Sequence, residues 1–216
     1  MNCIVTAGPT FEPLDEVRRL TNFSTGAFGS KLANFLVERG HTVTLLLGQQ
    51  ATHHGEQQAQ EIAPFTTTAD LRERLQALAA RRVDAVFHAA AVSDFTFGKI
   101  WERAPSGELT ECHAAKFATR SGTLVAELVP TPKLIGSLRS WFPQARLVGW
   151  KYELDGDRTS VLAKAERQIT ENRTDACVAN GRAYGLGFGL VTGSGKCVHF
   201  RDPQELFAAL EEMCRA

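Results

Sequence analysis

An α/β fold built on a mostly parallel sheet is predicted by three observations. Short apolar runs rich in branched residues recur as "CIVTA", "HTVTLLLG", "DAVFHAAA", "ARLVGWKY" and "DACVAN". Stretches with helical spacing lie between them, the alternation expected when crossover helices cover both faces of a parallel sheet. Near the C-terminal end, "GFGLVTGSGKCVHF" sets a "TGSGK" turn between two apolar runs, which reads as a β-hairpin. Together these predict a Rossmann-like, doubly wound sheet with an added antiparallel hairpin section, in a single domain over residues 1–216.

The elements follow in order. A first strand, "NCIVTAG", is succeeded by "LTNFSTGAFGSKLANFLVERG", residues 20 to 40, in which a small polar turn runs into an amphipathic helix predicted over 26–39. Gly40 stands just after that helix, where a left-handed cap is common. Further helices are predicted over 69–81, 132–141, 158–171 and 203–214, with Thr68 before Asp70 marking one start and Pro132 and Pro203 near first-turn positions marking two others. "GTLVAELV" follows a polar stretch and also breaks the alternation, so it is assigned to an antiparallel section. Residues 96–121 show little periodicity and mixed charge, and read as a long surface loop, either a functional flap or disordered.

Composition narrows the function. The 24 basic residues balance the 24 acidic ones, which leaves no electrostatic footprint for nucleic acid or an acidic membrane. The five cysteines are odd in number and form no CxxC pair, which suits a reducing compartment. The chain opens without a basic-then-apolar leader, and no apolar run nears the roughly 18 residues of a membrane span. The expectation is a cytoplasmic protein.

A doubly wound sheet binds ligands beyond the carboxyl ends of its strands. The "STGAFG" turn is a candidate there, because unpaired amides at a helix start, at the positive end of its dipole, suit a phosphate or carboxylate. The plainer reading of Ser24 and Thr25 is an ordinary helix cap. A nicotinamide enzyme is one class to weigh, yet the first turn lacks GxGxxG, the strand ending at Leu47 is followed by Gly48 and Gln49 in place of an acidic ribose ligand, and no Tyr-x-x-x-Lys pair occurs. "TGSGK" lacks the upstream glycine and following Ser or Thr of a Walker A loop. No His or Cys set has zinc-ligand spacing.

Five segments in order, "TAGPTFEPLDEVRRLTNFSTGAFG", "AAAVSDF", a lysine upstream of "LVPTPKLI", "VGWKYEL" and "DACVAN", closely resemble phosphopantothenate-cysteine ligase, and the resemblance spans nearly the whole chain. It implies a stand-alone ligase of coenzyme A biosynthesis with no fused decarboxylase, that step belonging to a separate protein. The substrates it implies are 4'-phosphopantothenate, L-cysteine and a nucleoside triphosphate, CTP or ATP, with Mg²⁺, in a homodimer. The nucleotide activates the carboxylate as an acyl-nucleotide with release of pyrophosphate, and cysteine then displaces the nucleotide.

By that resemblance Asn22 meets the acyl-nucleotide, while Ser24, Thr25 and Gly26 serve phosphate. Ala89, Ala90 and Ala91 let the nucleotide approach the backbone, and Asp94 takes Mg²⁺ or the nucleotide. Lys116 matches the first lysine of a K-x-K-K signature that acts on the phosphates, here reduced to "KFAT", with Lys99 as the competitor. Thr131, Pro132, Lys133 and Leu134 stand where bacterial forms have "NPDI", near the nucleotide. Trp150 is the candidate for base stacking, with a core role as its alternative. Lys151 and Lys164 form a pair facing triphosphate. Arg18 or Arg19 binds the pantothenate phosphate or crosses a dimer interface, and Asn180 closes the last parallel strand beside the substrate. Pro9 replaces a glycine of the family's "GGT" turn, removing an N–H donor. Two other readings stay open: a catalytically weak nucleotide-binding relative, motivated by Pro9 and "KFAT", and an NAD(P)-dependent oxidoreductase resting on fold class alone.

Overall fold

The computed structural model describes residues 1–118 and 122–215. Each predicted apolar run forms a strand: β1 (Asn2–Ala7), and later in the chain the strands Thr42–Gly48, Ala85–His88, Arg146–Tyr152 and Ala176–Asn180. In chain order the remaining elements are β2 (Phe11–Pro13), β3 (Arg19–Thr21), α1 (Ala27–Glu38), β4 (Thr42–Gly48), β5 (Glu61–Phe65), α2 (Thr68–Leu78), β6 (Ala85–His88), β7 (Phe95–Arg103), β8 (Leu109–Glu111) and β9 (Thr123–Pro130). The last third contains α3 (Ile135–Trp141), β10 (Arg146–Tyr152), α4 (Arg158–Asn172), β11 (Ala176–Asn180), β12 (Phe188–Thr192), β13 (Cys197–Phe200) and α5 (Pro203–Arg215).

Among the described residues one large sheet has the order β13-β12-β11-β10-β6-β1-β4-β5, parallel from β11 to β5 and antiparallel where the β12–β13 hairpin joins. The predicted fold class is therefore observed. Alternate side chains divide the core into two layers. Val5, Phe87, Val148 and Val178 face α1 and α5 with Leu32, Leu36, Leu206 and Phe207, whereas Ile4, Val86 and Leu147 face α2 and α3 with Leu71, Leu75 and Leu138. Helix α4 lies on the α3 side, where Val161, Ala165 and Ile169 meet Cys177 and Val191. Each such fully buried large side chain contributes about 1.5–3 kcal/mol relative to exposure. Gly29 of α1 packs so closely on β1 that a Cβ there would meet the Ala7 Cβ at 2.6 Å.

Three expectations need correction. The stretch 96–121 is not one loop: β7 and β8 lie in it, and with β9 they make a separate three-stranded antiparallel sheet. Its pattern escaped detection because the β7–β9 register shifts between Phe97 and Ile100, which breaks the alternation at Gly98 and Lys99. Residues 119–121 lie outside the described residues, as does Ala216. "GTLVAELV" accordingly joins this outlying sheet and not the main one. The helix predicted over 132–141 starts only at Ile135, because Thr131 is tied to Ser93 and Asp94. Strands β2, β3 and β5 were missed; β5 contains Pro64, which its edge position tolerates.

Candidate active site

After β1 the chain moves outward to β4 and β5, then returns through α2 to β6 and continues through β10 to β11. The switch point thus lies at the carboxyl ends of β1 and β6, the position where doubly wound sheets bind ligands. Here the backbone closes on itself: the Ala91 N–H donates to Gly8 O at 2.9 Å, and Thr10 N–H donates to Ala91 O at 3.1 Å. These bonds flank Pro9, which pairs with Ala91 in a parallel bridge, so the N–H that proline lacks is not needed at this point. Gly8 carries a φ of 82°, a conformation suited to glycine.

Strands β2 and β3 form a short hairpin that brings the chain back to this junction. Glu12 of β2 is buried and accepts from the Thr68 N–H at 3.0 Å, anchoring the hairpin on the start of α2. Thr21 donates to Thr10 O at 2.9 Å, and the next residue, Asn22, donates from Nδ2 to Ala91 O at 3.1 Å. Asn22 and Ala91, assigned separately from the sequence, therefore meet. Ser24, Thr25 and Gly26 follow. Gly26, at φ 79°, occupies the cap position of α1 without a side-chain bond, and the first turn holds no acidic residue. The cap position is thus a glycine, while the Thr25 hydroxyl accepts from the Ala27 N–H at 3.3 Å, so one amide at the start of α1 is already paired.

On the α3 and α4 side of the same edge lies a cleft of about 180 Å³ lined by His88, Ala90, Val92, Asp94, Leu134, Lys151 and Gln168 among others. Asp94 forms an ion pair with Lys133, and Thr131 donates to Ser93 O, so the "VSD" and "TPKL" segments are fastened together at the rim. Lys151 and Lys164, expected to face triphosphate, converge on a carboxylate the sequence reading missed: Glu153 accepts from them at 3.2 and 2.5 Å. Lys164, then Lys151, holds the Glu153 carboxyl below its ordinary range. Ala89 continues the strand end by donating to Thr6 O at 3.2 Å. Pro132 lies between the tied residues Thr131 and Lys133.

Trp150 borders this cleft, but its ring packs on the α1 side, edge-on to Phe28 at a centroid distance of 5.7 Å. Among the described residues its indole Nε1 is buried without a partner, as is Asn180 Oδ1 at the end of β11. Arg18 donates to Asp15 and to Phe117 O at 2.8 Å, and Arg19 lies over the Phe11 ring at 4.8 Å. Lys116 sits between Ala115 and Phe117, which are both bonded to the 14–18 turn: Glu16 N–H donates to Ala115 O, and Phe117 N–H donates to Asp15. Lys116 is exposed and has no polar partner among the described residues, whereas Lys99 is paired with Glu111 at 3.0 Å. The structure does not place Lys116 in the lining of the cleft.

The family model for the DNA/pantothenate metabolism flavoprotein C-terminal domain matches residues 1–208. The chain belongs to that family. A coenzyme A biosynthesis bifunctional protein CoaBC from Thermococcus kodakarensis is 32% identical over 179 residues, covering 82% of this chain and 40% of that protein. The chain spans 40% to 47% of the length of the first curated relatives it matches. Among solved structures, the DNA/pantothenate metabolism flavoprotein from Streptococcus pneumoniae superposes with a TM-score of 0.85 at 24% identity, covering 100% of this chain and 98% of that one. A Cab2 mutant in complex with phosphopantothenate-cysteine gives a TM-score of 0.75 at 20% identity, covering 99% of this chain and 87% of that one. At these identities the likeness concerns the fold.

Within this DNA/pantothenate metabolism flavoprotein domain, two residues at this sheet edge were not singled out from the sequence. Glu153 follows a strand and looks like any surface acid. His88 sits inside the apolar run "DAVFHAAA", where a histidine reads as a core residue; it is 6% exposed, and burial pushes its pKa down to about 4. Among the described residues no helix is long and apolar enough to cross a membrane.

Proposed function

We propose that this domain is a nucleotide-dependent ligase that joins 4'-phosphopantothenate to L-cysteine, with CTP or ATP as co-substrate. The observation that carries the reading is the convergence, at one sheet edge, of Asn22 on Ala91, Asp94 on Lys133, and Lys151 and Lys164 on Glu153. Relatives named as coenzyme A biosynthesis bifunctional proteins support the substrate class.

The chemical problem is to bring a carboxylate and a triphosphate together against their mutual repulsion. A carboxylate oxygen attacks the α-phosphorus and pyrophosphate leaves; the cysteine amine then attacks the acyl carbon, and the nucleoside monophosphate leaves with the acyl-phosphate bond pair. Positioning and charge neutralisation are what the protein has to supply. Lys151 and Lys164 exchange Glu153 for phosphate oxygens, and the positive end of the α1 dipole favours an anionic group nearby. Lys116, on a tethered but exposed segment, neutralises charge as pyrophosphate departs. Asn22 presents an amide to the acyl-nucleotide. Among the described residues no three His, Cys, Asp or Glu side chains gather as a metal group. A magnesium ion fits Asp94 as a single exposed carboxylate ligand beside phosphate oxygens, in keeping with its habit, and would supply charge neutralisation there.

The test is purified protein with 4'-phosphopantothenate, cysteine, Mg²⁺ and either CTP or ATP, followed for pyrophosphate. Asn22→Asp, which places an anion where an amide donor stood, should cut release by more than roughly 100-fold. Asn22→Ala loses the same bond to Ala91 and controls for its contribution of about 1 kcal/mol. Pyrophosphate release unchanged in Asn22→Asp would remove Asn22 from the chemistry, and no release with either nucleotide would overturn the ligase reading.

A further inference from the structure

The floor of the cleft holds two neutral polar side chains that the proposed mechanism does not use. His88 and Gly149 are register partners on the neighbouring strands β6 and β10. Gly149 has no side chain, and the space is taken by Gln168 of α4: a Cβ on Gly149 would lie 2.5 Å from the Gln168 Nε2 and 2.7 Å from the Ile135 Cδ1. The imidazole and the carboxamide therefore flank one bare strand position, and both line the cleft.

Their hydrogen-bonding directions are fixed from behind. The Thr6 hydroxyl oxygen accepts from the Ala90 N–H at 3.1 Å and lies 2.9 Å from His88 Nδ1. Thr6 is fully buried and among the described residues its hydroxyl has no acceptor besides His88, so that proton goes to Nδ1 and the ring carries its own hydrogen on Nε2. His88 thus offers an N–H donor to the cleft. On the other side Gln168 directs its Nε2 to Cys177 Sγ at 3.2 Å, which leaves Oε1 as an acceptor. Ala90, Val92, Leu134 and Ile135 supply apolar walls, while the cations Lys133, Lys151 and Lys164 stand at the rim.

A neutral donor beside a neutral acceptor between apolar walls is wrong for phosphate, which Gln168 Oε1 would repel, and right for the edge of a flat heterocycle. We propose that His88 and Gln168 read the base of the nucleotide, His88 donating to an acceptor on the base edge and Gln168 accepting from the N–H beside it, a pair that in cytosine and adenine is the ring nitrogen and the exocyclic amine. The assignment rests on the nucleotide-dependent reading of this cleft, and it puts base selection in these two side chains.

The experiment measures binding of CTP, ATP, UTP, GTP, inorganic tripolyphosphate and 4'-phosphopantothenate to the intact chain and to His88→Leu, Gln168→Leu and Lys164→Gln, with thermal unfolding of each. The intact chain should bind one nucleotide in preference to the others, and each floor variant should weaken that nucleotide roughly tenfold. Tripolyphosphate, which has no base, should be unchanged in the floor variants and weakened in Lys164→Gln. Gln168→Leu, at a half-buried position of α4, keeps the test available if His88→Leu fails to fold. Undiminished nucleotide affinity in the floor variants, an equal loss for tripolyphosphate, or a loss confined to 4'-phosphopantothenate would overturn the base-reading role alone. No nucleotide binding by the intact chain would overturn the ligase reading along with it.

Discussion

The main sheet and the outlying sheet of β7, β8 and β9 are built in opposite ways. In the main sheet Val5, Phe87, Val148 and Val178 are completely buried, and helices cover both faces. In the outlying sheet Ile100 alone among the described strand residues is buried, while Leu109 and Leu128 are each about half exposed. The first sheet stores its stability in packing; the second depends on strand pairing and on its tether to the 14–18 turn. The lesson is that the parts of the proposed chemistry divide the same way. His88 closes a main-sheet strand and Asn22 is bonded to Ala91 just beyond that strand, whereas the loosely buried arm carries Lys116.

Phe87→Ala should give the largest effect and is the most direct attack on that contrast. It removes a fully buried ring from the layer beneath α1 and should cost about 3–5 kcal/mol in urea unfolding. The partly buried Val125, on β9, should cost less than about 1 kcal/mol when changed to Ala, because little burial is lost there. Equal losses would mean that the two sheets share one core after all.

His88 gives the next largest effect. Its folded pKa of about 4 lies below the ordinary 6.5, so the unfolded chain takes up the proton first as pH falls. Its neutral form imposes no penalty above pH 6.5; stability should fall progressively between 6.5 and about 4, by about 3 kcal/mol in total. Unfolding measured across that range should lose this slope in His88→Leu. An unchanged slope would show that other groups set the acid response.

How much was legible follows from the same division. "DAVFHAAA" and "DACVAN" declared themselves because strands buried on both faces read as unbroken apolar runs. Strand β7 did not, since a bulge at Gly98–Lys99 interrupts its alternation, and three-residue strands such as β2 and β8 carry no period at all. In the site, Lys151 and Lys164 were foreseen as a pair from their strand-then-helix spacing, but Glu153 between them was not. Nothing in sequence shows which surface acid will face two lysines. The role of Pro9 looked like a defect until the bridge to Ala91 showed that the bonds run through Gly8 and Thr10. The remaining site assignments came from resemblance, since short polar motifs carry no periodic signal.

Lys116→Gln sharpens the contrast on the functional side. Removing the ammonium should slow pyrophosphate release roughly 100-fold, comparable to one lost oxyanion donor, because a phosphate-directed charge counts most as charge moves in the transition state. Thermal unfolding should be unaffected, given an exposed side chain without polar partners among the described residues. Lys99→Gln, which breaks a surface pair with Glu111, should leave turnover within about twofold. The opposite pattern, with Lys99→Gln inactive and Lys116→Gln unimpaired, would transfer the role to the lysine on the strand.

The smallest expected effect concerns the tether itself. Asp15 accepts on Oδ1 from the Val17 and Arg18 amides at 3.0 and 2.7 Å, which shapes its own turn. On Oδ2 it accepts from the Arg18 guanidinium at 2.5 and 3.0 Å and from the Phe117 amide at 3.2 Å, which holds the Lys116 segment in place. The Arg18 guanidinium, followed by these amides, holds the carboxyl well below its usual range. The tether is therefore complete at pH values above the ordinary carboxylate pKa and is lost only as pH falls through the lowered folded value. Asp15→Asn separates the two jobs of the side chain: the amide oxygen still supports the turn, while an NH₂ group replaces the atom that faces three donors. Trypsin cleavage after Lys116 should accelerate roughly tenfold, since local opening and not global unfolding limits it. The unfolding midpoint should hardly move, because the main sheet is untouched. Cleavage at the original rate would mean that β7 and β9 alone hold the segment, and that Asp15 and Arg18 only shape the turn that leads to Asn22.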